Sequence, residues 1–465
     1  MKMRSISRAS VAHDRPMGSA ARRTPPGPKG ILILGNAIAF GRDTLGFLTE
    51  CTRQFGDLVA FRIGAWPALL LNNPDDIEHV LVKNHYNFTK NRFFWRHVRA
   101  IFGMGLLTAE GEDWQRHRRL IAPAFSGKRL TSYGAIMVRH TEEILKGWKV
   151  GERRDFHAEM MALTLGIAAE TLFGTLVKQD IADVDQSTNV LMAEISTRFR
   201  RPILIPDGIP IPGNLRYRRA LGRFDRLVAR IVGERQQSGE DRGDLLSMLL
   251  LARYEDGEPM SEQQIRDEVI TMLLAGHETT ALTLSWAFYL LSRHPGIDFR
   301  VATELREVLG GRTPTVDDLP RLHFCEHVIN EAMRLYPPAW GVGREAVGDC
   351  EIGGYSVPAG TTIFIVPWVL HRDSRYFESP TEFRPERWAG GLAKRLPRFA
   401  YMPFGGGPRI CIGSRFAMME AVLILATIAQ RFGLEAQDER PEPFASITLR
   451  PKGGVRLEPQ LRSGT

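Results

Sequence analysis

The stretch Phe404-Gly405-Gly406-Gly407-Pro408-Arg409-Ile410-Cys411-Ile412-Gly413 runs straight into Ser414-Arg415-Phe416-Ala417-Met418-Met419-Glu420-Ala421 and an apolar helical pattern that lasts to about Phe432. Three consecutive glycines allow tight backbone turns and let N–H groups approach the Cys411 sulfur. Gly413 opens the helix, whose N-terminal dipole favours negative charge on that sulfur. Together these features predict a lowered thiol pKa and a metal-binding thiolate. A lone cysteine is otherwise a small hydrophobic side chain, so the loop taken alone leaves both readings open.

Upstream, Ser261 with Gln264 makes a capping box. The pattern predicts a helix unbroken to Pro295, about 33 residues or roughly 50 Å long. Its centre, Ala275-Gly276-His277-Glu278-Thr279-Thr280, is a polar break in an apolar run. Gly276 costs about 1 kcal/mol relative to alanine there, and Glu278 resists burial without a partner. One reading sends Glu278 to solvent and uses Gly276 for close packing. The other gives Gly276 to a ligand beside the helix and proton handling to Glu278 and Thr279.

The rest of the chain sets bounds. With 43% hydrophobic and 25% charged residues in 465, it can bury a large core. Four cysteines, at 51, 325, 350 and 411, without a Cys-x-x-Cys pair, fit neither a disulfide scaffold nor a zinc ribbon and suit a reducing cytoplasm. Part of the net charge of +8 lies in residues 1–29, where seven cations face only Asp14. Residues 1–24 read as a disordered basic tail, with a targeting segment as the alternative. The remaining excess suits an acidic protein or an anionic membrane surface. No nucleic-acid motif accompanies it. No segment reaches the roughly 20 apolar residues of a membrane span. Short strands are expected at 58–63 and 68–71 and within 350–366, and helices dominate from about 112 to 300. The expected fold class is mainly α with small β-sheets, residues 25–465 forming one large α-rich domain with a smaller β-rich region.

The cysteine loop resembles the haem loop of the cytochrome P-450 family, Phe-x-x-Gly-x-Arg-x-Cys-x-Gly. Phe404, Gly407, Arg409, Cys411 and Gly413 fill every fixed position. Three further motifs occur in the family's order: Ala275, Gly276, Glu278 and Thr279 on the central helix, Glu331 with Arg334 as Glu-x-x-Arg, and Phe383-Arg384-Pro385-Glu386-Arg387-Trp388. The resemblance therefore spans nearly all of the chain from about Pro25. It implies the cytochrome P-450 fold and haem b (iron protoporphyrin IX) ligated by Cys411. Trp114, Arg118, Arg344 and Arg409 would bind the propionates, with Ala275, Phe404 and Gly413 lining the cofactor. It further implies a structural Glu331–Arg334–Arg387 network. Trp114 and Arg118 are i,i+4 and reach one side of a helix, whereas His117 points elsewhere.

The implied function is a haem-thiolate monooxygenase that inserts one oxygen atom of O2 into an apolar substrate. Glu278 would relay protons from solvent and Thr279 would hold water or the bound oxygen. Substrate-lining segments would lie near 93–105, 195–211, 273–275, 338–342 and 444–448, including Phe94, Trp95, Phe102 and Trp340. Such a lining suits a fatty or terpenoid molecule. Only 54 residues follow Cys411, so electrons are expected from a separate ferredoxin or flavodoxin and its reductase, with NAD(P)H as the indirect source. A soluble cytoplasmic protein is expected, with peripheral membrane contact left open. Three rivals were weighed: a zinc peptidase on His323-Phe324-Cys325-Glu326-His327, a haem-thiolate sensor, and a peroxide-driven enzyme. The intact Glu278–Thr279 pair disfavours the last two.

Overall fold

The computed structural model describes residues 23–125, 127–174, 178–200, 206, 208–254, 257–436 and 440–462. The expected basic tail at 1–24 lies almost wholly outside them. The long central helix is Glu262–Arg293, with both halves of the Ser261–Gln264 capping box formed. A helix apolar around its whole circumference must be enclosed by other elements, and this one is. Phe156–Phe173, Pro212–Ser238, His323–Leu335 and Ser414–Arg431 all pack against it. Trp286, fully buried on it, stacks on Tyr336 with ring centroids 4.0 Å apart.

The largest sheet orders Leu58–Ile63, Trp66–Leu71, Thr362–Ile365, Val342–Ala346 and Phe88–Thr89. Trp66–Leu71 pairs in parallel with Thr362–Ile365, in the register Leu69 to Ile363. Sequence patterning anticipated the outer hairpin and the strands after 350, but not Val342–Ala346. Its Gly343 and Arg344 break the β-rich signature. A second sheet joins Arg154–Asp155, Arg456–Leu461 and Phe432–Ala436, and two hairpins complete the β structure: Cys350–Ile352 with Tyr355–Val357, and Glu442–Ala445 with Leu449–Lys452. The fold is mainly α with small separate sheets. Among the described residues no helix is long and apolar enough to cross a membrane.

The expected ion network forms between His323–Leu335 and the segment 384–388. Glu331 and Arg334 are fully buried and pair at 2.8 Å. Arg387 Nε reaches Glu331 at 2.9 Å, Trp388 Nε1 donates to its other oxygen at 2.9 Å, and the Arg384 amide adds a bond of 3.0 Å. Arg334 also donates to the carbonyls of His371, Pro380 and Glu382. Each charge is met from several sides, which a dry ion pair requires.

Candidate functional site

The Cys411 loop is closed by its own amide, which donates to Phe404 O at 3.0 Å. Gly405 and Gly407 take φ values of +70° and +68°, where only glycine is comfortable. A Cβ on Gly407 would lie 2.0 Å from Leu81 O, and one on Gly406 would lie 2.1 Å from the Phe399 ring. Neither position admits a side chain. Gly413 stands at the N-cap of Ser414–Arg431, and its amide bonds the Cys411 sulfur.

The electrostatics correct one expectation. The thiol is not lowered: burial pushes it up, and the Gly413 amide and Arg118 oppose this without overcoming it. Desolvation outweighs the helix dipole. A metal cation bound at the sulfur would favour the thiolate. By area, Cys411 and its neighbour Ile410 are nonetheless exposed.

On the central helix, Ala275 is exposed and Gly276 and Thr279 are half-buried, although Val269–Leu274 and Thr280–Leu291 are buried. A Cβ on Gly276 would meet nothing within 4 Å. The helix thus presents an accessible strip at its midpoint, as the ligand reading of Gly276 required. Thr279 Oγ1 donates to Ala275 O at 2.9 Å, and Thr280 Oγ1 to Gly276 O at 3.3 Å.

Glu278 does not reach solvent. It is buried and accepts from Arg450 Nε at 2.7 Å and from the Thr448 hydroxyl at 2.6 Å. Burial alone would raise its pKa, but Arg450 and Thr448 outweigh burial and hold the carboxyl below its usual range. The expected solvent relay is therefore, in this conformation, a clamped carboxylate. Its clamp comes from the C-terminal hairpin, which sequence reasoning missed.

Positive charge gathers at the cysteine loop. Arg118 Nη1 donates to Ile410 O at 2.9 Å. Arg409 bonds Ala109 O at 2.7 Å and Glu110 at 2.6 Å, with its guanidinium 4.3 Å from the Trp114 ring centre. Arg344 donates to Gly343 O at 2.9 Å, and burial together with Arg409 pushes its pKa down to about 10. Lys90, also missed, is buried with its ammonium on Leu107 O and 4.7 Å from the Trp95 ring centre. Burial, then Arg409, Arg344 and Arg99, drive it far below an ordinary lysine, against Glu110. Glu110 is the single anion felt by Lys90, Arg344 and Arg409 among the described residues. Lys90 is buried and Arg344 and Arg409 are half-buried, and a cluster with this excess suits an anionic group carrying more than one charge.

The structure thus brings Trp114, Arg118, Arg344 and Arg409 into one cationic cluster beside Phe404, Cys411 and Gly413. Ala275 and Thr279 line the accessible strip. His117 is buried elsewhere, its Nδ1 2.8 Å from Glu268. Of the expected substrate segments, 338–342 and 444–448 meet: Trp340 Nε1 donates to Ser446 O at 2.8 Å, and the Leu449 amide to Pro338 O at 3.0 Å. Phe102 is buried and Trp95 partly so, while the Phe94 side chain and residues 201–205 and 207 lie outside the described set. Among the described residues no group of three His, Cys, Asp or Glu is placed to hold a metal ion, at His323–His327 or elsewhere.

A loop cysteine at a helix start, a cationic cluster beside it and an open strip on a long helix are compatible with a haem-thiolate protein. Comparison with known proteins identifies which. The sequence profile of the cytochrome P-450 family matches residues 25–458. Cyclooctat-9-en-7-ol 5-monooxygenase of Streptomyces melanosporofaciens is 39% identical over 428 residues, covering 91% of each chain. Cyclooctatin synthase of the same organism is 37% identical over 441 residues, 94% of this chain and 95% of the relative. Pentalenene oxygenase of Streptomyces avermitilis is 35% identical over 427 residues, 90% and 94%. The chain belongs to the cytochrome P-450 family and is a monooxygenase, an oxidoreductase that uses haem iron to insert oxygen into apolar substrates.

Proposed function

We propose that Cys411 would hold the haem iron through its sulfur, that Lys90, Trp114, Arg118, Arg344 and Arg409 would hold its propionates, and that the substrate is a cyclic terpenoid-type hydrocarbon. The observation that supports the cofactor assignment is the cationic excess around buried Lys90 beside an exposed Cys411. Ala275, Phe404 and Gly413 line the cofactor. The substrate class rests on the relatives' names and on the apolar segments around Phe102 and Trp340.

Bound at Cys411, haem supplies reductive activation of dioxygen, favoured by an electron-rich thiolate. The protein's own groups do the rest. The Gly413 amide bonds the sulfur and orients it. Arg118 fixes the Ile410 carbonyl and so the position of the loop. Thr279 stands on the accessible strip with a hydroxyl that can turn from Ala275 O to hold water or a proton. Glu278 supplies the second site at which a proton can be held, once Arg450 releases it. Electrons come from a ferredoxin or flavodoxin and its reductase, drawing on NAD(P)H. Exposed Arg119 and Arg415 near the loop suit an acidic partner.

The test is Thr279→Ala in the holoenzyme. It keeps the red-shifted reduced carbon-monoxide band of thiolate-ligated haem and diverts electrons from product to hydrogen peroxide. Normal coupling of electron use to product in that variant would remove Thr279 from the mechanism. Loss of the red-shifted band in Cys411→Ser checks the ligand separately.

A further inference from the structure

Near its start the central helix carries two buried carboxylates that the site above does not use. Asp267 and Glu268 are 3% and 0% exposed and stand about two helical turns before Ala275 on Glu262–Arg293. Each accepts a backbone amide from the same short segment. Met104 N–H donates to Asp267 Oδ2 at 2.8 Å and Leu106 N–H to Glu268 Oε2 at 3.0 Å. Such charge-assisted bonds are stronger than those between neutral groups. The other oxygens are held too. Asp267 Oδ1 accepts from Arg266 Nη1 and Gln263 Nε2, both at 2.8 Å, and Glu268 Oε1 lies 2.8 Å from His117 Nδ1.

The segment that donates these amides is shaped to lie flat against the helix. Gly103 has a φ of +58°, and a Cβ on it would stand 2.1 Å from the Asp267 carboxylate. A Cβ on Gly105 would stand 2.3 Å from Thr271 Oγ1 and 2.6 Å from Asp267 O. Backbone touches the helix at both positions, and neither has room for a side chain. Thr108 closes the turn from within, its Oγ1 donating to Gly103 O at 2.6 Å. The turn directly follows the helix Arg92–Phe102, whose last residue belongs to the same apolar cluster as Leu273 and Leu274. Arg266 adds a tie at that helix end. Its Nη1 donates to Ile101 O at 3.3 Å, and its Nε to Asp225 Oδ1 at 3.0 Å on Pro212–Ser238.

We propose that Asp267 and Glu268 are positioning residues for substrate selection: they clamp the backbone of 103–106 to the central helix and so fix where Phe102 stands relative to the strip at Ala275 and Thr279. This rests on the reading, given above, that the segment around Phe102 lines the substrate. Two turns separate the carboxylates from the strip, so both act through the loop and not by contact with substrate. An apolar wall that is already held in place loses no binding free energy to being ordered. A bulky ligand that presses on that wall gains from this, whereas a small one that reaches only the iron does not. Glu268 also meets His117 on Gly111–Ile121, the helix that carries Trp114 and Arg118. The loop, the central helix and the helix proposed to hold the propionates therefore share one fixed point.

The experiment uses the haem-loaded protein and two probes that bind ferric haem through a ring nitrogen, imidazole and the bulkier phenylimidazole. Asparagine at 267 offers one acceptor where aspartate uses two, so Asp267→Asn cannot satisfy Met104 and the Arg266–Gln263 pair together. With the red-shifted carbon-monoxide band intact, Asp267→Asn should weaken phenylimidazole on the order of tenfold and leave imidazole within about twofold. Amide hydrogen exchange at Met104 and Leu106 should quicken about tenfold or more in the same variant. A role in stability alone would shift urea unfolding and keep the ratio of the two affinities. Gly105→Ala, which leaves both carboxylates in place and pushes the loop off the helix, should reproduce the altered ratio. Phe102→Ala tests the lining reading by itself and should change the phenylimidazole affinity alone. If Phe102→Ala leaves the ratio unchanged, that reading fails and the proposal falls with it. If Phe102→Ala changes the ratio and Asp267→Asn does not, the clamp is overturned and the reading stands. If Asp267→Asn does not fold, wild-type exchange decides. Protection of the Met104 and Leu106 amides to the level of the central helix supports the clamp, and exchange as fast as in an exposed loop overturns it.

Discussion

Replacing Arg450 by methionine removes the guanidinium that faces Glu278 while keeping much of the side-chain volume. Glu278 is 3% exposed and the Arg450 side chain 17% exposed, at a separation of 2.7 Å. Breaking a buried pair by deleting one partner costs about 3–5 kcal/mol, because the other charge stays buried alone. The Thr448 hydroxyl remains on Glu278 at 2.6 Å, and Arg450 is partly wetted, which points to the low end, about 3 kcal/mol. That is a large part of a total stability of roughly 5–15 kcal/mol. In wild type the Glu278 carboxyl lies below its ordinary range. It therefore contributes stability above the unfolded-state value, lost as pH falls through the folded one. In Arg450→Met, burial is opposed by Thr448 and His277 without Arg450, and the folded-state pKa is expected to rise above the unfolded one. Stability then falls as pH rises between the two values, so the deficit relative to wild type grows from acid toward neutral pH. Urea unfolding of the holoprotein, repeated across that range, measures the difference. Adding Glu278→Gln to Arg450→Met removes the stranded charge and should recover most of the loss. A deficit below about 1 kcal/mol at neutral pH, the scale of an exposed pair, or one independent of pH, would refute the argument.

Glu331→Gln places an amide against Arg334 and Arg387, both cations then lacking their buried counter-charge. It should cost about 3–5 kcal/mol in urea unfolding and leave little haem-loaded protein, whereas a cost below about 1 kcal/mol would show that the network is dispensable. On the proposed assignment, Lys90→Met and Arg344→Met would each remove a charge-assisted contact to a propionate, worth about 1.5–3 kcal/mol. Haem should transfer to an apoglobin acceptor roughly tenfold faster or more, and unaltered transfer rates would detach both residues from the cofactor. The same two changes should leave the haem-free protein no less stable, since without an anion these cations repel one another.

What could be read from the sequence was what is local along the chain. The capping box of Ser261, the span to Arg293 and the helix start at Gly413 depend on neighbours within four residues, and each is found where expected. The Glu331–Arg334 pair is three residues apart, and the family resemblance supplied Arg387. Arg450 was not legible, because it meets Glu278 across 172 positions and an arginine in a hairpin carries no mark of its partner. Lys90 was missed for the same reason: only folding brings it near Arg344 and Arg409. The direction of the Cys411 shift was misjudged because the helix dipole can be counted from sequence whereas desolvation cannot.

The cations beside Cys411 bear on which group the proposed site suits. Lys90 is buried and Arg344 and Arg409 are half-buried, with Glu110 as the anion they share. A bare metal cation beside them would add to their repulsion, and a carboxylate ligand alone would leave Cys411 without a metal. A group that brings both a metal for Cys411 and carboxylates for the cations would satisfy both demands, and haem carries both. On the proposed assignment, binding it would stabilise the fold by relieving that repulsion, in addition to any contacts it adds.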